Sequence, residues 1–230
     1  MSTIFLELKA HSNSEKAEGM TNYFKHEIKS LGVPIPIIRN IVKKAVKLDL
    51  ENEEILKEAG FLWNKDFIEA RLAAIFLLEY SKLTPQTKFT TALIFLKDKN
   101  LNWALSDAIS GSILGRSIVE DKTLLPKLLP LIDRTNWEKR ACIVGLMRPM
   151  WRNVISVDFL LKLVAINLYS EWEYSQKACG WVLRECYKKN GIATKKFMAR
   201  KKNMPRITFS YACERMTEKE KLNLKKLVYS

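Results

Sequence analysis

The sequence predicts an all-α protein, and three observations carry that prediction. Helix-start chemistry recurs: Thr84–Pro85, Thr135-Asn-Trp-Glu138, Ser170-Glu-Trp-Glu173 and Thr217-Glu-Lys-Glu220 each set a capping side chain before a helical stretch. No segment alternates apolar and polar residues, no Asn-Gly turn joins two strand-like runs, and only 8 Gly and 7 Pro punctuate the chain. The third observation is an internal repeat. Trp63-Asn-Lys-Asp-Phe-Ile-Glu-Ala-Arg71, Asn102-Trp-Ala-Leu-Ser-Asp107-Ala, Trp137-Glu-Lys-Arg140-Ala and Tyr174-Ser-Gln-Lys177-Ala share one scheme, in which an aromatic opens a helix and a charged residue follows beside Ala. The charges stand 36, 33 and 37 residues apart, with a second helix between them each time. Two-helix units of this period are the signature of an α-solenoid of the HEAT or armadillo type. The expected architecture is a single curved domain over residues 1–230, since no linker or low-complexity segment divides the chain.

In chain order, Ser14 is expected to cap a helix over 15–31 that Gly32 ends. Pro34 and Pro36 mark a turn and the start of a helix running to Lys47. Shorter apolar patterns follow from Glu51, and a strong one covers 65–80. Thr84 and Pro85 open the next helix, 101–115 reads as a largely buried helix, and 124–132 as an amphipathic one. The three capping boxes then start helices at 135, 170 and 217.

Residues 101–115, LNWALSDAISGSILG, carry one charge, Asp107. An ionised carboxylate is costly to strip of water unless something replaces that water. Trp103 lies four residues earlier, on the same helix face. An indole beside a poorly hydrated carboxylate is a good receptor for a cation. The alternative is that Asp107 is merely an N-cap, with Ser106 and Asp107 starting a second helix. In a solenoid, Arg71, Asp107, Arg140 and Lys177 line one row, and Trp181, four residues past Lys177, joins it. Three cations suit a phosphate track, while the carboxylate among them would repel phosphate. A structural alternative stays open here too: Asp107 pairs with Arg140 across neighbouring repeats.

Net charge is +14, from 39 Lys+Arg against 25 Asp+Glu, which favours a polyanionic partner, nucleic acid or an anionic membrane surface. The four cysteines, Cys142, Cys179, Cys186 and Cys213, form no CxxC pair and sit in apolar helical patterns, as buried thiols of a reducing compartment would. His11 and His26 are the only histidines, so no metal site and no cofactor are expected. The N-terminus lacks the pattern of a signal peptide, and no apolar run spans a membrane. The expected location is the cytoplasm and the expected state a monomer.

On EKAEGMTNYFKHEIKSLGVPIPIIR, NWALSDAI, NWEKRACI and QKACGWVLRE, the chain resembles the DNA alkylation repair family of HEAT-like-repeat glycosylases, the AlkD-like proteins, from about Glu15 to Leu183. The resemblance implies a helical solenoid whose concave face holds duplex DNA. It implies hydrolysis of the N-glycosidic bond of positively charged alkylated purines, 3-methyladenine and 7-methylguanine, as the start of base excision repair. By position, Asp107 matches the family's catalytic carboxylate, Trp103 and Trp181 its active-site tryptophans, and Arg140 its active-site arginine. Tyr23 and Arg39 match DNA-contacting positions, and Arg148 a basic backbone contact. Arg71, Lys177 and Arg184 are taken as further DNA-binding residues. The family often has a second Trp where this chain has Asn102. The implied roles are a carboxylate stabilising an oxocarbenium-like sugar, two indoles facing the cationic nucleotide, and Arg140 on a phosphate.

Beyond the resemblance, the basic tail, with Lys195, Lys196, Arg200, Lys201, Lys202 and Arg206, reads as further phosphate contact or as a solvated helix face. Two other function classes fit the residues. One is a non-catalytic DNA-binding solenoid for damaged or branched DNA. The other is a protein-binding or tRNA-binding HEAT scaffold, with Trp63, Trp103 and Trp181 serving an apolar groove.

Overall fold

The computed structural model describes residues 2–24, 28–48 and 50–230, and among them every regular element is helical. The chain divides into two compact units, Met1–Asp98 and Lys99–Ser230.

The first unit is built around a helix that is buried on all sides. It opens with α1 (Thr3–Ala10), capped by Ser2, whose hydroxyl accepts from the Phe5 amide at 3.0 Å. This short helix was not predicted. α2 covers Ser14–Tyr23, shorter than expected, and its cap is Asn13 rather than Ser14: the Asn13 side chain accepts from the Lys16 amide at 2.9 Å. The rest of the predicted 15–31 helix runs partly through 25–27, which, like His26 itself, lie outside the described residues. Gly32 ends no helix; it holds a left-handed φ of 73°, and a Cβ there would meet the Asn13 carbonyl oxygen at 2.1 Å. The buried carboxylate of Glu69 fixes this loop, accepting from the Leu31 and Gly32 amides at 2.9 Å each. α3 (Ile35–Val46) carries Pro36 in its first turn, as expected. α4 (Asn52–Trp63) starts with a capping box of Glu51 and Glu54. α5 (Ile68–Tyr80) is buried from Ile68 through Leu78, and α3 and α4 pack on it. α6 (Pro85–Phe95) has Thr84 as its cap, as predicted. Trp63 closes α4 instead of opening a helix, and its indole stacks on Phe95 at 4.1 Å.

In the second unit α7 (Trp103–Ala108) passes through a π-helical stretch, Ile109–Leu114, directly into α8 (Gly115–Glu120). Asn102 is the cap, its side chain accepting from the Leu105 amide at 3.0 Å. Ser106 and Asp107 therefore sit within a helix, and the N-cap reading of Asp107 falls. The predicted 124–132 helix is fragmented into a 3₁₀ turn, a single α turn, α9 (Leu125–Leu128), and a second 3₁₀ stretch, Leu129–Asp133. Pro126 and Pro130 explain this, because Pro130 has no amide to give the carbonyl four residues back. α10 (Asn136–Gly145) starts with the predicted Thr135/Glu138 capping box. α11 (Met147–Trp151) and α12 (Val157–Asn167) lead to α13 (Glu173–Lys189). The capping box expected at Ser170 is absent: Trp172 occupies the cap position, and Ser170 accepts from the Trp172 amide instead. α14 (Gly191–Ala199), α15 (Arg206–Ala212) and α16 (Glu218–Val228) complete the unit, the last with the predicted Thr217/Glu220 box.

α7, α10 and α13 pack side by side, with α8 against α11 and α14 against α12 and α16. Two glycines allow further close approaches, of α13 to α15 and of α8 to α10. A Cβ on Gly180 in α13 would lie 2.5 Å from Tyr211 Cβ of α15, and one on Gly115 would lie 2.3 Å from the Gly145 carbonyl of α10. Backbone cannot yield as a flexible side chain can. Gly115→Ala is expected to lower unfolding stability by about 1–3 kcal/mol, the usual cost of overpacking. A urea midpoint unchanged from wild type would refute the close approach.

The four cysteines are buried thiols, and burial pushes Cys142, Cys179 and Cys186 up to about 12 and Cys213 to about 11. None is a nucleophile at neutral pH. Among the described residues no helix is long and apolar enough to cross a membrane.

Candidate active site

The Asn102 cap fixes where α7 begins and so which way its residues face. Leu105, Ser106, Ile109 and Ser110 turn into the core. Trp103 and Asp107, one turn apart, lie on the opposite side and keep some solvent contact. α7 then widens into the π stretch, where the Ser110 hydroxyl donates to the Ser106 carbonyl at 2.6 Å. Such bulges are frequent at functional sites.

Across from α7, α10 presents Arg140. Its Nε donates to Asp107 Oδ1 at 2.8 Å and its Nη2 to Asp107 Oδ2 at 2.7 Å, a two-pronged pair. Its Nη1 donates to the Tyr174 carbonyl of α13. The Arg140 side chain is 6% exposed, whereas that of Asp107 retains 17%. The guanidinium is thus enclosed while the Asp107 side chain stays partly reachable. Each oxygen takes one bond from Arg140 and has a further lone pair for another partner. Burial pushes the Asp107 carboxyl above the ordinary value, and Arg140 draws it back only in part. The pairing left open by the repeat spacing is therefore present.

An aromatic cluster holds this arrangement from one side. Trp137 meets Trp172 edge-on at 4.6 Å, and Tyr174 lies 5.5 Å from Trp137 and 5.4 Å from Trp172. These rings join the first turns of α10 and α13, where Tyr174 offers its carbonyl to Arg140. A backbone acceptor leaves no mark in a sequence, which shows Tyr174 only as an aromatic of the repeat. Lys177, one turn on, bonds Glu173 at 2.5 Å and lies 5.6 Å from the Tyr174 ring centre. Trp181, a further turn on, is half-buried. Arg184 is held by Glu214, with Glu185 at 3.6 Å. Arg148 on α11 is exposed.

The remaining predicted residues belong to the first unit. Tyr23 is 68% exposed at the end of α2, its ring 5.4 Å from Phe24. Arg39 bonds Glu79 at 3.0 Å and the Tyr80 hydroxyl, and lies 3.9 Å from the Phe76 ring centre. Arg71 is 8% exposed: its Nε donates to the Lys65 carbonyl at 3.1 Å, and its Nη2 lies 3.5 Å from Asp98. With the Trp63 ring 5.3 Å away, Arg71 braces the end of α4 inside this unit.

No curated protein matches the chain significantly. Three solved structures share the fold. One, described as a predicted DNA alkylation repair enzyme from Enterococcus faecalis, superposes with a TM-score of 0.78 at 20% identity, covering 90% of this chain and 98% of that one. AlkD2 from Streptococcus mutans gives a TM-score of 0.62 at 21% identity, covering 79% and 90%. A second protein, from Streptococcus mutans UA159, gives 0.61 at 22%, covering 78% and 92%. The family model described as DNA alkylation repair enzyme matches residues 4–216. With nearly the whole sequence inside that match, the chain belongs to the DNA alkylation repair enzyme family.

Proposed function

We propose that the protein is a DNA glycosylase that releases positively charged alkylpurines, 3-methyladenine and 7-methylguanine, from duplex DNA. One observation carries this reading: a carboxylate, Asp107, is fixed by a two-pronged arginine, keeps part of its side chain exposed, and lies a turn from Trp103. An N3- or N7-alkylated purine carries a positive charge. It leaves with the bonding electrons of the N-glycosidic bond and becomes neutral, so no acid is needed to protonate it. Positive charge then builds on the sugar, as in other glycoside cleavages. The Asp107 carboxylate stabilises that cation and orients the water that adds to C1′, whose proton passes to Asp107 or to solvent. Trp103 and Trp181 offer faces to the cationic nucleotide. Arg140, with its donors on Asp107 and Tyr174, is a positioning residue in this scheme. Phosphate contact falls chiefly to exposed cations.

Arg148 is such a cation. Arg148→Gln is expected to weaken duplex binding and to lower the slope of log affinity against log salt by about 0.9, one phosphate contact. An unchanged slope would remove Arg148 from the interface. A second reading, a DNA-binding protein without chemistry, draws on the same pair, since a buried Asp–Arg bridge also serves as scaffold. Base release from alkylated duplex under single-turnover conditions separates the two: the first requires release, the second none.

A further inference from the structure

Away from Asp107, α12 and α14 enclose a groove of about 990 Å³ in the second unit. Four cations line it, Lys162, Lys196, Arg200 and Lys201, against one acid, Asp158. Its floor is apolar, with Leu161 and Phe197, and Ile192 stands 81% exposed at its edge. Lys162 and Lys196 and Arg200 are exposed. Arg200, the C-cap of α14, lies one turn past Lys196, so their like charges repel. No carboxylate of the described residues bridges them: the neighbouring Lys195 takes Glu220, at 2.5 Å, and Asp158 makes no ion pair. A groove that concentrates positive charge over an apolar floor is relieved by a ligand with spaced anions and flat apolar parts. Lys201 Nζ lies 5.3 Å from the Phe197 ring centre, a cation that the phosphate of a base seated on that ring would meet.

We infer that this groove binds a single strand of nucleic acid, with phosphates on Lys162, Lys196 and Arg200 and a base against Phe197. Single-strand sites combine a cationic track with an aromatic platform. A paired duplex hides its base faces and cannot use Phe197, whereas a single strand can. The site shares no lining residue with the Asp107 centre, so it stands whether or not that centre is catalytic.

The test is fluorescence anisotropy of the full chain with a labelled oligothymidylate of about 16 nucleotides. Lys196→Gln with Arg200→Gln is compared with a control of equal charge loss on α16, Lys225→Gln with Lys226→Gln. The groove variant is expected to lose roughly tenfold in single-strand affinity, with a salt slope lower by about 1.4, two contacts at ~0.7 each. Phe197→Ala is expected to weaken the single strand further and leave duplex affinity within about twofold. All the cations are on the surface, so the fold survives, as circular dichroism will show. Equal losses in groove and control variants would overturn the proposal, as would parallel losses for duplex and single strand. Competition by polyglutamate as strong as by oligothymidylate would overturn it in favour of an acidic protein partner.

Discussion

Asp107→Asn is expected to slow single-turnover release of 7-methylguanine and 3-methyladenine by about 10²–10³-fold, the ~2.7–4 kcal/mol typical of one preorganised electrostatic contact. The amide keeps the shape and removes the charge that, in the proposed reaction, stabilises the developing sugar cation. It also gives Arg140 a poorer partner, since only one of the two carboxylate oxygens survives as an acceptor for Nε and Nη2. Some stability is therefore lost, and the measurement needs the folded fraction alongside the rate. Binding to undamaged duplex should persist or tighten slightly, because a negative charge has left a surface proposed to face phosphate. The rate of wild type should fall as pH drops through the Asp107 value. That limb lies above the ordinary carboxylate range because burial disfavours the charged form. Folded Asn variant releasing bases at the wild-type rate would make Asp107 structural.

The parts of this fold that were legible in the sequence are those fixed by local hydrogen bonds. Thr135 and Thr217 cap their helices because hydroxyl and glutamate exchange bonds within four residues. Ser170 carries the same motif and fails, since Trp172 packs on Trp137 and Tyr174 and takes the cap position. Tertiary packing overrode a local signal there. The 124–132 stretch failed for the opposite reason: its apolar spacing was helical, but two prolines interrupt the backbone. At the candidate site, Asp107 stood out as a lone charge in an apolar run, and a 33-residue spacing placed Arg140 opposite it as one of two options. The spacing could not choose between them. What the structure adds is the two-pronged bond from Arg140 to Asp107, with the third guanidinium nitrogen on the Tyr174 carbonyl, a backbone group invisible to side-chain reading. Arg71 shows the same limit. It occupies the repeat position of Arg140, but Asp98 and the Lys65 carbonyl lie beyond any periodic pattern.

Arg140→Met is expected to destabilise the protein by about 3–5 kcal/mol at neutral pH, because it strands a carboxylate that is mostly buried. The loss must depend on pH in a defined direction. Arg140 draws the Asp107 carboxyl down, so its removal raises a value that burial has already raised. The folded variant then holds its proton more tightly than the unfolded chain does. Its stability deficit is absent below the unfolded carboxylate value of about 3.9. It grows as pH rises and is complete above the folded value. Wild type should show a weaker version of the same trend. Any base release that remains should show its acidic limb moved to higher pH, a change that a merely structural arginine would not produce. Pairing the substitution with Asp107→Leu removes both charges and should recover most of the lost stability, since apolar replacement of a buried ion pair is often neutral or stabilising. That double variant should stay folded and release no alkylated base. If Arg140→Met instead loses the same stability at every pH, the cost comes from lost packing and not from a stranded Asp107. If the double variant still cleaves, the Asp107–Arg140 pair is scaffold and the chemistry lies elsewhere.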